Sequence, residues 1–222
     1  MIVLENLSKS FPIPGGRKYV VRDVSVTFPT RTAVALLGRN GTGKSTLLEM
    51  IGGSSSPDSG RIWSTGSISW PVGFAGSFHR ELSGAQNTRF IARAYGVDTD
   101  DLCAFVKEFS ELKSQFHMPI RSYSAGMKSR LAFGISMGIR FDTYLVAEVT
   151  SVGDASFKQK SLQLFRDRMT DSGAIMVSHS MRQVRRFCDA GAVLEDGNLI
   201  YYDDIDEAIA RHQENMGSDE DE

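Results

Sequence analysis

Cysteine is scarce in this chain: Cys103 and Cys188 are the only two in 222 residues, and they stand far apart. Two distant thiols build no disulfide framework and fit a reducing compartment, where each reads most simply as a small core residue. An excess of charge of one sign is missing too. The balance of 25 basic against 27 acidic residues leaves a net charge of −2, so no overall basic field argues for nucleic acid. Long apolar runs are also absent. The longest uncharged apolar-rich run near the middle covers 131–139, whereas a spanning helix needs roughly 20 residues. No segment is expected to cross a bilayer, and any membrane role must come through a partner. The opening Met1-Ile2-Val3-Leu4-Glu5 meets an acid too early for a signal peptide. What remains is an ordinary globular composition, 41% apolar and 23% charged, of a length that suits one domain or one domain with a subdomain.

One stretch organises the rest. Gly38-Arg39-Asn40-Gly41-Thr42-Gly43-Lys44-Ser45-Thr46 reads G-x-x-x-x-G-K-S, the phosphate-binding P-loop. The apolar run 32–37 before it suits a buried strand, and 46–51 after it suits the first turns of a helix. Backbone N–H groups must wrap a triphosphate closely, which a Cβ at Gly38, Gly41 or Gly43 would hinder. The helix start adds free N–H donors and about half a positive charge. Lys44 brings a full charge to the β- and γ-phosphates, and the Ser45 hydroxyl can ligate Mg²⁺.

Along the chain, 1–7 and 20–28 read as strands. The segment Pro12-Ile13-Pro14-Gly15-Gly16-Arg17-Lys18 between them reads as a turn-rich basic loop. Phe11 and Tyr19 flank it, and either ring can stack on a base or simply pack in the sheet. From about 82 to 139 the pattern becomes helical, so an inserted helical subdomain is expected inside a sheet core of 1–81 and 140–216. Sheet character returns at 143–147, 174–177, 190–194 and 199–202. A last helix is expected over 204–213. The acidic stretch 217–222 reads as a disordered tail.

Together these motifs resemble the ATP-binding cassette (ABC) ATPase family over nearly the whole chain. The resemblance implies an α/β fold, a P-loop core with a mixed sheet, with ATP and Mg²⁺ as cofactors. Tyr123-Ser124-Ala125-Gly126-Met127 stands where the family has its L-S-G-G-Q signature. Ser124 is a good helix N-cap, and the helix start after it can face a phosphate. In the family, this segment (here Ser124, Ala125, Gly126 and Met127) completes the ATP site of a second copy. Tyr144-Leu145-Val146-Ala147-Glu148 stands at the Walker B strand, where Glu148 matches the residue that polarises the attacking water. Ala147 occupies the position of the metal-anchoring Asp, and a methyl group cannot do that work, so a hydrolysis-impaired form is expected. Asp154 matches the D-loop that joins the two subunits. His179 matches the switch histidine at the γ-phosphate. Phe11 joins the candidate nucleotide contacts. No glutamine stands near 70–74, where the family commonly has one. Trp70, Phe74 and Phe78 recur every four residues, as a core stripe or as a docking surface.

Finer wording narrows the likeness. Residues 68–76, Pro14-Gly15-Gly16-Arg17, 126–131 and 148–154 resemble the ATPase subunit of bacterial capsular polysaccharide exporters, a group beside the O-antigen and teichoic acid exporters. The resemblance implies a pair of these chains on two copies of an integral membrane permease at the cytoplasmic face of the inner membrane. Periplasmic and outer-membrane export components are expected beyond the permease. No appended carbohydrate-binding domain is expected after the core.

Overall fold

The structure, a computed structural model, describes residues 1–76, 78–147 and 154–217. They divide into two units, one of residues 1–71, 141–147 and 169–217, the other of 72–140 and 154–168.

In the first unit, strands β1 (Ile2–Ile13) and β2 (Gly16–Phe28) form an antiparallel hairpin. The supposed loop at 12–18 is therefore strand on both sides of a tight turn, with Pro12 opposite Arg17 and Ile13 opposite Gly16. The reason is the open edge. Pairing of β1 with its other neighbour, β4 (Ser59–Ser64), stops at Ser8 opposite Ser59. Pro12 thus lies in a two-stranded extension, where a missing N–H on the outer side breaks no ladder.

Strand β3 (Ala33–Leu37) is buried along its whole length and leads through the glycine loop into α1 (Lys44–Ile51). It sits inside a six-stranded sheet of order β5-β6-β7-β3-β8-β9, with β5 (Ile68–Pro71), β6 (Thr143–Val146), β7 (Gly173–Met176), β8 (Ala190–Glu195) and β9 (Asn198–Tyr202). All neighbours run parallel except the hairpin β8–β9. Strands β3, β6 and β7 carry no exposed residue, as expected of central parallel strands. Leu4, Val21, Phe28, Leu36, Leu48 and Ile175 belong to one buried cluster that joins this sheet, α1 and the hairpin. Phe28 adds an edge-on contact with Tyr201, its ring 6.3 Å away.

The second unit holds α2 (Gly84–Ala94), α3 (Thr99–Ser110), α4 (Ala125–Gly138) and most of α5 (Ala155–Met169). Ser83 and Gln86 form a capping box that starts α2, and Asp98 caps α3 through the N–H groups of Asp100 and Asp101. The core is aromatic. Phe109 stacks on Phe105 and Phe133, both at 5.8 Å, and meets Phe157 edge-on at 5.3 Å. Back in the first unit, the short α6 (Met181–Phe187) and α7 (Ile205–Gly217) complete the described residues. Trp70 lies on β5 against Phe141, whereas Phe74 lies beyond the strand and is 54% exposed. The four-residue spacing of Trp70, Phe74 and Phe78 makes no helical stripe, because the described residues from 70 to 78 are strand, turn and loop.

Two glycines are fixed by crowding. Gly43 has φ of +104°, and a Cβ there would run into the Val20 side chain; Gly38 has φ of +148°, and its Cβ would strike the Leu194 carbonyl oxygen. Gly43→Ala is therefore expected to lower stability by about 2 kcal/mol in urea unfolding, with contributions from backbone strain and from the clash. The thiols should separate as cleanly. Burial pushes the Cys188 thiol up to about 12, while the half-buried Cys103 is raised less. Iodoacetamide at pH 8 should modify Cys103 in the native protein and reach Cys188 only on unfolding, as peptide mass mapping would show.

Candidate nucleotide site

Parallel pairing decides what meets at the sheet's upper edge. The loop of Gly38–Gly43 leaves the carboxyl end of β3, Ala147 follows β6, and His179 lies three residues beyond β7. Groups at the carboxyl ends of adjacent parallel strands share one rim, the usual place for a ligand in an open α/β sheet.

The loop itself is held by its own lysine. Lys44 Nζ donates to the carbonyls of Gly38 at 2.6 Å and Arg39 at 2.7 Å. Burial lowers the pKa of Lys44 from its usual value. Thr42 Oγ1 donates to the Arg39 carbonyl at 2.9 Å, which tightens the same turn. Gly43 stands at the N-cap of α1 with no side chain over the first N–H groups. Ser45, in the first turn, is exposed, and Thr46 is half-buried. The loop therefore offers backbone donors, a helix start and one ammonium to an anion.

Two clefts flank it. One, of about 370 Å³, is lined by Gly38, Arg39, Asn40, Lys44, Ser178, His179, Met181 and the α7 residues His212, Gln213 and Met216. The structure thus brings His179 and the P-loop together. His212 and its helix neighbours were not legible as site residues; their only sequence signal is the period of the last helix. Burial, and then the charge of Lys44, lowers the pKa of His212, whose Nδ1 has no hydrogen-bond partner among the described residues. The other cleft, of about 530 Å³, is lined by Lys18, Tyr19, Arg22, Arg39, Asn40, Gly41, Thr42, Asp196 and Gly197. Tyr19 lies in its wall, with the Arg22 guanidinium 3.9 Å from the ring centre. Phe11 is not part of either wall. It is 45% exposed on β1, opposite Lys18, with Lys9 Nζ 5.6 Å from its ring centre.

Position 147 itself carries no carboxylate. Ala147 is exposed at the end of β6, and Glu148 lies outside the described residues. Of the two positions expected to hold Mg²⁺, position 45 carries an exposed hydroxyl in the first turn of α1, and the methyl of Ala147 has no oxygen to give. These residues fit a triphosphate well and its metal only in part.

The remaining candidates belong to the helical unit. Ser124 caps α4 by accepting from Met127 N–H at 3.2 Å, and Ala125 and Gly126 are exposed beside it. The same helix carries Arg130, which donates to Asp154 at 2.7 Å, pairs with Glu111 at 3.4 Å and lies over the Phe157 ring at 4.6 Å. Asp154 also accepts from Phe157 N–H at 3.0 Å and so starts α5. That backbone bond, with the Arg130 charge behind it, holds the Asp154 carboxyl below the usual carboxylate range. No helix among the described residues is long and apolar enough to cross a membrane.

The ABC transporter family profile matches residues 21–151. The polysialic acid transport ATP-binding protein KpsT of Escherichia coli is 48% identical over 216 residues, 96% of each chain. The capsule polysaccharide export ATP-binding protein CtrD of Neisseria meningitidis serogroup B is 42% identical over 94% of this chain and 96% of its own. Among solved structures, the ATP-binding cassette MJ0796, in a dimeric post-hydrolysis state bound to ADP and phosphate, superposes with a TM-score of 0.76 at 19% identity. The match covers 92% of this chain and 99% of that one. Sequence match, sheet order and P-loop agree, and the chain belongs to the ABC transporter family as one of its ATP-hydrolysing cassettes.

Proposed function

We propose that this chain powers export of a capsule polysaccharide, working as a pair on a two-copy membrane permease at the cytoplasmic face of the inner membrane. Its 48% and 42% identity to transport subunits named for polysialic acid and capsule export carries the reading. Envelope components beyond the permease would take the polymer onward.

The residues divide the work. Backbone N–H groups from Arg39 to Thr46 would wrap the triphosphate, and Lys44 would leave its own loop carbonyls for the phosphates. Ser124, with Ala125, Gly126 and Met127, would face the γ-phosphate of the partner copy, its cap already formed by Met127 N–H. His179, on the wall of the P-loop cleft, would hold the reacting end of the triphosphate, and Glu148 would orient water. Asp154 would contribute to the contact between copies. Phe11, opposite Lys18, would face the base, with Tyr19 the alternative ring. Mg²⁺, when bound, neutralises charge that develops between the β- and γ-phosphates. Ser45 would hold it from the protein side, without help from position 147. Phe74 and Phe90, 54% and 67% exposed on the helical unit, would form part of the permease contact.

Loss of one metal anchor from the transition state raises the barrier by a few kcal/mol, and about 1.4 kcal/mol is tenfold in rate. Ala147→Asp should therefore raise ATP turnover by at least about tenfold, measured as phosphate release. Expressed in Escherichia coli lacking its own polysialic acid transport ATP-binding protein, the Ala147→Asp form should restore surface polysialic acid beyond what the chain restores as it stands. Equal turnover would sink the metal-anchor reading. Failure of both forms to restore export, with the permease present, would sink the transport reading.

A further inference from the structure

The hairpin that the Pro and Gly residues disguise as a loop runs beside the P-loop. Strand alternation puts Lys18 and Val20 on one face of β2. Val20 is buried against Gly43. Two residues earlier, Lys18 Nζ lies 3.8 Å from the position that a Cβ would take on Gly41. The same period of two therefore aligns β2 residues 18 and 20 with loop residues 41 and 43, one an apolar contact and the other a cation. Arg17, on the opposite face, is engaged elsewhere: its Nε donates to Ser10 Oγ at 2.9 Å and its guanidinium pairs with Asp58 at 3.6 Å. Lys18 is exposed and makes no ion pair with any described residue.

The cleft between β2 and the loop is electropositive. Lys18, Arg22 and Arg39 line it against one carboxylate, Asp196. Arg22 is committed to the Tyr19 ring at 3.9 Å. Lys44 reaches into the loop from α1, whereas Lys18 stands on the side of Gly41 that faces β2.

We propose that Lys18 is a second phosphate-binding cation of the nucleotide site, delivered by β2 to the outer side of the P-loop. The inference rests on the reading of that loop as a nucleotide site. Lys18 Nζ donates to a non-bridging oxygen of the bound triphosphate, so that the chain is gripped by ammonium groups from two elements. The register of the hairpin sets the reach of this contact, with Ile13 opposite Gly16 and Phe11 opposite Lys18.

Equilibrium titration of the full chain with a fluorescent ATP analogue and Mg²⁺ tests this. Lys18→Gln should raise Kd about tenfold, the loss of one charge-assisted hydrogen bond. It should also flatten the dependence of Kd on salt, because one ion contact is gone. Lys18→Arg should recover most of the affinity, since it keeps the charge. The melting temperature without nucleotide should stay unchanged in both variants. An unaltered Kd in Lys18→Gln overturns the proposal, as does a weakening that Lys18→Arg fails to rescue or that accompanies a lowered melting temperature. Lys44→Ala serves as the separate control: if it binds the analogue as tightly as the unaltered chain, the nucleotide-site reading itself falls.

Discussion

The loop between β3 and α1 has no room for side chains at two of its glycines, and most of the molecule's architecture follows from that. One glycine touches Val20 of the hairpin and the other the Leu194 carbonyl of β8. The loop is therefore clamped between elements distant in sequence, which fixes the direction of its N–H groups. Such preorganisation is where a phosphate-transferring protein places its effort, because the chemistry asks for positioning and charge neutralisation more than for covalent steps. The parallel order around β3 then brings the ends of β6 and β7 to the same rim.

Legibility in the sequence followed locality. The P-loop, the buried runs of β3, β6 and β7 and the Ser124 cap were readable because each is written in consecutive residues. The inserted helical stretch was readable by its period, although the unit that forms also takes in residues 72–81 and most of α5. What escaped depends on partners. Pro12 and Gly16 look like loop residues until the free outer edge of β1 beyond Ser8 is known. The aromatic spacing at 70, 74 and 78 mimics a helix, whereas the described residues there are strand, turn and loop. His212, Gln213 and Met216 reach the P-loop cleft only because α7 folds back alongside β3 and β8, a long-range event with no motif.

The helical unit shows a different economy. Arg130 ties the α4 helix, whose start carries Ser124, to the first turn of α5 through Asp154, and to the end of α3 through Glu111. Lys160 closes the circuit by donating to Glu111 at 2.9 Å and to the Phe109 carbonyl at 3.1 Å. Single exposed ion pairs add little, but a network over a stacked aromatic core fixes relative helix positions well. A displacement at Asp154 would therefore be felt at the start of α4 without passing through the sheet.

Lys44 grips Gly38 and Arg39 through their carbonyl oxygens, and that grip has a cost for any incoming anion. Two good hydrogen bonds must break before two new ones form, so the affinity gained is a difference between contacts of similar kind. The lysine acts as a built-in competitor. A phosphate oxygen that took this ammonium would leave the carbonyls of Gly38 and Arg39 to find other donors, so the same short stretch sets both the shape of the loop and the strength of its hold on an anion.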